Sequence, residues 1–235
     1  MLDIIYEDAG LLVVNKPAGL VCHPTKGDGL SSLISRARLY LGTACHLVNR
    51  LDRETTGVTV IAKNPAAAGE LGKLWESRKV EKEYLAIVRG AVADDSGSIE
   101  LPLGKDEASV IAIKDCVRPD GAPARTDFVV ERRFRRSGRD YSLVRALPQT
   151  GRKHQIRLHL AAIGHPIVGD KLYGGNEDVY LALVQDRLTP EQREELLLPN
   201  HALHAHRIQF EWRGEAKTFE APPHLEFTNF AGRPG

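Results

Sequence analysis

His46-Leu47-Val48-Asn49-Arg50-Leu51-Asp52-Arg53-Glu54-Thr55-Thr56-Gly57 sets one carboxylate, Asp52, between Arg50 and Arg53 in a short polar segment. The stretches on either side, Leu47-Val48 and Val58-Thr59-Val60-Ile61-Ala62, are apolar and β-branched, the composition of strands. Asp52 therefore falls on a loop that a rigid sheet presents to a ligand, and it is the candidate reacting group. On local chemistry alone the commoner reading of this pattern is a solvated turn with weak surface ion pairs. The rest of the chain has to decide between the two.

A coarse pass predicts many strands and few helices. Ile4 to Tyr6 and Leu11 to Val14 read as a hairpin joined through Glu7-Asp8-Ala9-Gly10, and Tyr84 to Val88, Phe128 to Val130, Ser142 to Leu147 and Ile208 to Trp212 supply further strands. Helices are expected over Leu30 to Leu41 and over Pro65 to Arg78, where Ala67, Leu71, Leu74 and Trp75 share one apolar face. Ile156, Leu160 and Ile163 predict a short helix from His154, ended by Gly164, with Gln155 and Arg157 off its buried stripe. Thr189-Pro190-Glu191-Gln192 opens another helix with a capping-box pattern, which stops at Pro199-Asn200. The expected fold is α+β, a large, mainly antiparallel mixed sheet with flanking helices.

A chain of 235 residues buries a substantial core without disulfides or metal, and one domain over residues 1–235 is expected. Three cysteines without a C-x-x-C pair exclude a disulfide framework and a zinc finger, and they suit a reducing cytoplasm. Acidic residues stand where a signal peptide carries positive charge, and no apolar run reaches membrane-spanning length. The reading is a cytoplasmic monomer with no membrane anchor and no obligate protein partner.

The formal net charge of +1 gives no general nucleic-acid signal. Distribution says more: from Arg125 to Arg157 ten basic residues face three acidic ones. Such a stretch could neutralise several phosphates. Around Ser137-Gly138 the same arginines equally suit a solvated hairpin with a turn at those two residues. RNA contact is the preferred reading for Arg152 and Lys153.

Several blocks resemble one family in its own order. Arg50-Leu51-Asp52 with Thr55-Thr56-Gly57 is similar to the H-R-L-D-x-x-T-S-G motif of the RluA-type pseudouridine synthases, with Asn49 where His is common and Thr56 where Ser is common. Val14-Asn15-Lys16-Pro17-Ala18-Gly19-Leu20-Val21-Cys22-His23-Pro24 resembles the family's first motif, and Lys82-Glu83-Tyr84-Leu85-Ala86-Ile87-Val88-Arg89-Gly90 its K-x-Y-x-A-x-V-x-G strand. Thr150-Gly151-Arg152-Lys153-His154-Gln155-Ile156-Arg157-Leu158-His159 resembles T-G-R-x-H-Q-I-R-x-H, and Gly164-His165-Pro166-Ile167 and Gly169-Asp170-Lys171-Leu172-Tyr173-Gly174 follow it. Some family members carry an extra N-terminal RNA-binding domain of the S4 type. Here the first strand starts almost at Met1, so a stand-alone catalytic domain is expected.

The resemblance implies isomerisation of uridine to pseudouridine in rRNA or tRNA, with no cofactor and no metal. Asp52 would be the catalytic carboxylate, Arg157 the arginine that pairs with it, and Tyr84 the residue that stacks on the target base. Arg50 would occupy the space that the flipped uridine vacates, and Arg152 and Gln155 would contact the RNA.

His201, His204 and His206 could imitate a metal site, but no carboxylate or cysteine sits at ligand spacing, and a structural role is preferred. A serine hydrolase lacks its G-x-S-x-G elbow. Two other readings stay open: an RNA-binding or RNA-chaperone module of the same fold with little turnover, and a carboxylate-dependent nucleosidase, which would release free base.

Overall fold

In the computed structural model, which describes residues 2–24 and 32–232, one side chain makes the first turn. Asp8 Oδ1 accepts from the Gly10 and Leu11 amides at 2.7 Å each, an Asx turn. It joins β1 (Ile4–Glu7) to β2 (Leu11–Lys16), the hairpin that the sequence predicts. Every residue of β2 is buried. Leu11 and Val13 enter one apolar cluster and Leu12 and Val14 another, because successive side chains of a strand point to opposite faces.

Among the described residues ten of the twelve strands belong to one mixed, mainly antiparallel sheet, and six helices complete an α+β fold, as the sequence predicts. The chain forms two compact units, Met1–Tyr84 with His204–His224, and Leu85–Leu203 with Leu225–Gly235.

The first unit has the strand order β1-β2-β4-β11, where β4 is Thr56–Ala62 and β11 is Leu203–Trp212. β3 (His46–Leu47) pairs with β4 and β12 (Glu215–Glu220) with β11. α2 (Pro65–Glu76) lays Ala67 and Leu71 on the first cluster, with Leu74 and Trp75 packed at its margin. Its start is set by Asn64, whose side chain accepts from the Ala67 amide, and by Pro65 in the first turn. α1 (Leu33–Leu41) covers the second cluster with Leu33, Ile34 and Ala37. Of the helix expected from Leu30, residues 30 and 31 lie outside the described residues. Ser32 is the N-cap.

The chain enters the second unit within β5 (Val80–Arg89). A long hairpin, β9 (Arg125–Arg136) and β10 (Arg139–Pro148), turns at Ser137 and Gly138, both at positive φ, the twist-matched geometry of a tight hairpin. β6 (Ser96–Glu100) pairs with β9, and β7 (Leu103–Lys105) with β8 (Asp115–Val117). The helices are α3 (Gln155–Ala162), α4 (Asp178–Val184), α5 (Pro190–Leu196) and α6 (Leu225–Ala231). Thr189 and Gln192 close the capping box of α5, and the helix ends at Leu196, three residues before the expected stop.

Two expectations need correction. β9 is 12 residues long, far beyond Phe128 to Val130, because its Arg-rich half is a hairpin arm that needs no apolar alternation to pair. In α3 every residue from Gln155 to Leu160 is buried while Ile163 is exposed, so Gln155 and Arg157 do not lie off a buried stripe. The helix is enclosed on all sides over those residues, and its polar side chains bring their own partners.

Candidate active site

The segment from Asn49 to Gly57 leaves the sheet and returns to it, and Asn49 closes its neck. The Asn49 amide nitrogen donates to the Val58 carbonyl at 3.3 Å, and its oxygen accepts from the Val60 amide at 2.7 Å. Asn49, one of the two residues that depart from the family pattern, thus faces inward and ties the two ends of the loop. Leu51 is buried in the cluster under α1 and anchors the loop's middle. Asp52 beside it is half-buried and Arg50 exposed.

The loop rests on the segment that follows β2. Lys16 is fully buried, and its Nζ donates to the carbonyls of Pro17, Leu20 and Arg53 at 2.9, 2.9 and 3.1 Å. All three ammonium protons are used, and no carboxylate is among these acceptors. Burial pushes its pKa down to about 8, against the pull of the Asp52 charge. The Cys22 thiol donates to the Leu51 carbonyl at 3.4 Å and accepts from the Leu51 amide at 3.3 Å, and burial holds it in the neutral form. Arg53 Nε returns the contact by donating to Gly19 O at 3.1 Å. Both backbone neighbours of Asp52 are therefore held from one side.

Tyr84, on β5, is half-buried at the edge of the cluster that contains Leu51 and Cys22. Burial, then the Asp52 carboxylate, then Cys22 push its phenol above the usual tyrosine range. Its hydroxyl stays protonated and feels the Asp52 charge. At the loop's exit the Thr56 hydroxyl lies 2.8 Å from His204 Nδ1.

The second unit holds the other expected residues. Arg157 is 7 % exposed and makes a bidentate pair with Asp170, Nε to Oδ2 at 2.7 Å and Nη2 to Oδ1 at 2.9 Å. Its guanidinium lies 5.0 Å from the Tyr173 ring centre, and the Tyr173 hydroxyl is 2.8 Å from His154 Nδ1. Asp170 also accepts from the Leu172 and Tyr173 amides at 2.9 Å. Burial alone would raise the Asp170 carboxyl, but the Arg157 guanidinium overrides it and holds the pKa well below the usual range.

Gln155 is 4 % exposed. Its oxygen accepts from Thr150 Oγ1 at 2.6 Å and the Arg152 amide at 3.0 Å, and its nitrogen donates to Arg125 O at 2.8 Å and Thr126 Oγ1 at 2.9 Å. It stitches the loop before α3 to β9. Arg152 and Lys153 are exposed, Arg152 Nε on the Pro123 carbonyl at 3.2 Å and Lys153 with Asp115 at 2.8 Å.

Asp52, Tyr84 and Arg50 thus share the first unit, and Arg157, Arg152 and Gln155 the second. Sequence reasoning passed over Lys16, Cys22 and Asp170 as individual residues, though all three stand inside or beside quoted motifs. Among the described residues no group of three or more His, Cys, Asp and Glu side chains is arranged to hold a metal, and no helix is long and apolar enough to cross a membrane.

A family described as RNA pseudouridylate synthase matches residues 10–162. An uncharacterized RNA pseudouridine synthase of Aquifex aeolicus is 38% identical over 181 residues, 74% of this chain and 56% of that protein. Ribosomal large subunit pseudouridine synthase C of Pasteurella multocida is 37% identical over 235 residues, 98% of this chain and 67% of that one. The solved structure of human RNA Pseudouridylate Synthase Domain Containing 1 superposes with a TM-score of 0.76 at 29% identity, covering 95% of this chain and 84% of that chain. The chain spans less than two thirds of some relatives it matches, 56% of the Aquifex protein and 63% of YhcT, an uncharacterized RNA pseudouridine synthase of Bacillus subtilis.

Proposed function

The chain belongs to the RNA pseudouridylate synthase family, and on that premise we propose that it isomerises specific uridines in rRNA or tRNA to pseudouridine. The observation that carries the reading is the mounting of Asp52: a half-buried carboxylate on a loop whose backbone is held by Lys16 and Cys22, with the Tyr84 phenol in its field. A preorganised carboxylate suits a reaction that passes through a cationic sugar.

In this reading Asp52, ionised, serves as nucleophile or electrostatic partner at the ribose C1′ while the bond to uracil N1 breaks. The uracil turns, C5 bonds to the same carbon while any bond from it to Asp52 breaks and returns the carboxylate, the C5 proton leaves and N1 ends protonated, so atoms balance without oxidant, metal or phosphate donor. Tyr84 stacks on the base and assists removal of the C5 proton. Arg50 fills the space left by the flipped nucleotide. Arg157 completes the catalytic set, and Arg152 and Gln155 belong to the substrate-binding residues. Residues 1–235 act as one catalytic domain, a cytoplasmic monomer that needs no cofactor.

Tritium release from RNA labelled at uridine C5 tests this, with total RNA from cells lacking the gene as substrate. Wild-type protein is expected to release tritium and Asp52→Asn to release none. Equal release by both would remove Asp52 from the chemistry. Retained RNA binding without release from any RNA would favour the binding module instead.

A further inference from the structure

His204 touches the loop that carries Asp52 through the side chain of Thr56. Its Nδ1 is 2.8 Å from the Thr56 hydroxyl and its Nε2 is 2.9 Å from the Ala221 carbonyl oxygen. A carbonyl only accepts, so Nε2 carries the proton and Nδ1 accepts from the Thr56 O–H. One tautomer satisfies both bonds. The imidazole is fully buried, and burial pushes its pKa down to about 4, so the ring is neutral near pH 7.

The backbone at this point leaves little play. β11 pairs parallel with β4, His204 opposite Thr56 and Ala205 opposite Gly57. Gly57 has φ +110°, and a Cβ there would stand 2.2 Å from Ala205 O, so only glycine lets the strands approach this closely. Thr56 is the residue at which the loop re-enters the sheet, and its side chain is read by a ring that is itself pinned to Ala221.

We propose that His204 is a positioning residue: in its Nε2–H form it holds the Thr56 hydroxyl, and so fixes the exit of the loop from which Asp52 acts. The proposal rests on the isomerase reading for its rate consequences. A carboxylate displaced by a fraction of an ångström loses alignment with the reacting carbon, and misplacement by about 1 Å can cost about 100-fold in rate. The role also accounts for Thr at the position where Ser is common, since either hydroxyl can donate to Nδ1.

Four variants separate this from a purely structural role. Thr56→Val removes the hydroxyl at nearly constant shape, and Thr56→Ser keeps it. His204→Gln keeps a donor near Nε2 but loses the acceptor, while His204→Asn keeps an acceptor near Nδ1. Single-turnover tritium release is measured with enzyme in excess over C5-labelled total RNA from cells lacking the gene, together with filter retention of the same RNA. Thr56→Val and His204→Gln are expected to slow release by about 10- to 100-fold with RNA retention changed less than about twofold, and Thr56→Ser and His204→Asn to recover to within about threefold of wild type. The double variant Thr56→Val with His204→Gln should be no slower than the slower single, because both delete one interaction.

Long-range proton–nitrogen NMR of the imidazoles gives a readout independent of turnover: His204 should show the Nε2–H tautomer, with an Nδ1 signal that moves in Thr56→Val. If wild-type protein released no tritium, the isomerase reading would fall and the nitrogen spectrum would still decide the Thr56–His204 bond. A wild-type rate in Thr56→Val, additive losses in the double variant, losses that vanish when rates are expressed per folded molecule, or an Nδ1–H tautomer at His204 would each overturn the proposal.

Discussion

Each unit buries a cation beside a functional segment, and the two satisfy it by opposite means. In the first, the Lys16 ammonium gives its protons to three backbone carbonyls. In the second, the Arg157 guanidinium meets the Asp170 carboxylate in a two-bond fork. Dipoles solvate a charge without cancelling it, so the field of Lys16 still reaches Asp52 and Cys22. A carboxylate cancels most of its partner's field and supplies direction instead. The first arrangement leaves a positive field at the Asp52 loop, and the second fixes where a planar guanidinium points. A buried charge therefore has a different use depending on what satisfies it.

The largest consequence of that contrast falls on Asp170. Asp170→Asn leaves a buried guanidinium without this counter-charge, and removal of one partner of a buried pair costs about 3–5 kcal/mol. Urea unfolding of the two proteins near neutral pH measures it. The pH dependence follows from the lowered carboxyl pKa. The stability that this group contributes is present above the ordinary carboxylate pKa of 3.8 and is lost as pH falls through the lower folded value. The wild type should therefore lose part of its advantage over Asp170→Asn on acidification, and an unchanged difference down to strongly acidic pH would contradict the pairing.

Lys16 should behave in the other sense, because its cost lies in burial. Lys16→Met strips the Pro17, Leu20 and Arg53 carbonyls of their donor and frees the loop on one side, with an expected loss of about 100-fold in single-turnover rate. In the wild type the pKa is about 8 when folded and 10.5 in the reference state. The unfolded chain then binds more protons between those values, so through this group stability rises with pH across that window. The rate should fall over the same window as the ammonium is lost. Opposite slopes of unfolding free energy and rate, both absent in Lys16→Met, are the signature. Parallel slopes would mean that the clamp does not act on Asp52.

Legibility divides along the same line. Elements whose cause is local could be read in sequence: the Asp8 turn, the Pro65 start of α2, the Thr189 capping box and the Ser137-Gly138 turn each depend on neighbours a few residues away. The motif blocks placed Asp52, Tyr84 and Arg157 among the candidates because they stand as strings. What could not be read were partnerships made across the fold. Cys22 meets Leu51 over a separation of 29 residues, and Thr56 meets His204 over 148. Nothing in the string around Lys16 tells a solvated lysine from one buried to zero exposure. Periodicity puts the polar residues of α3 off its buried face because it counts side chains as inside or outside by type. Gln155 and Arg157 are inside because hydrogen bonds and an ion pair satisfy them there.

The arginine-rich hairpin carries the smallest effect and the most direct discrimination. Read as charge alone, the arginines around Ser137-Gly138 suit phosphate contact and a solvated hairpin equally. In the fold, Arg136 Nη1 donates to the carbonyls of Asn229 and Phe230 at 2.8 and 3.2 Å, and Arg132 reaches those of Ala231 and Gly232. Those of Asn229, Phe230 and Ala231 are the last carbonyls of α6, which lack partners within the helix, and Gly232 follows it; the Arg136 guanidinium also lies 4.9 Å from the Phe230 ring centre. Cations at a helix C-terminus stabilise it by about 0.3–1 kcal/mol. Arg136→Leu should therefore lower the unfolding free energy by about 1 kcal/mol and leave the salt dependence of RNA binding as it is. Arg152→Leu should do the reverse, with little change in stability and a log–log salt slope shallower by about 0.7–0.9, as expected for one phosphate contact. If Arg136→Leu flattened the slope by that amount, the hairpin would be an RNA surface after all, and its bonds to α6 would be incidental to why those arginines are there.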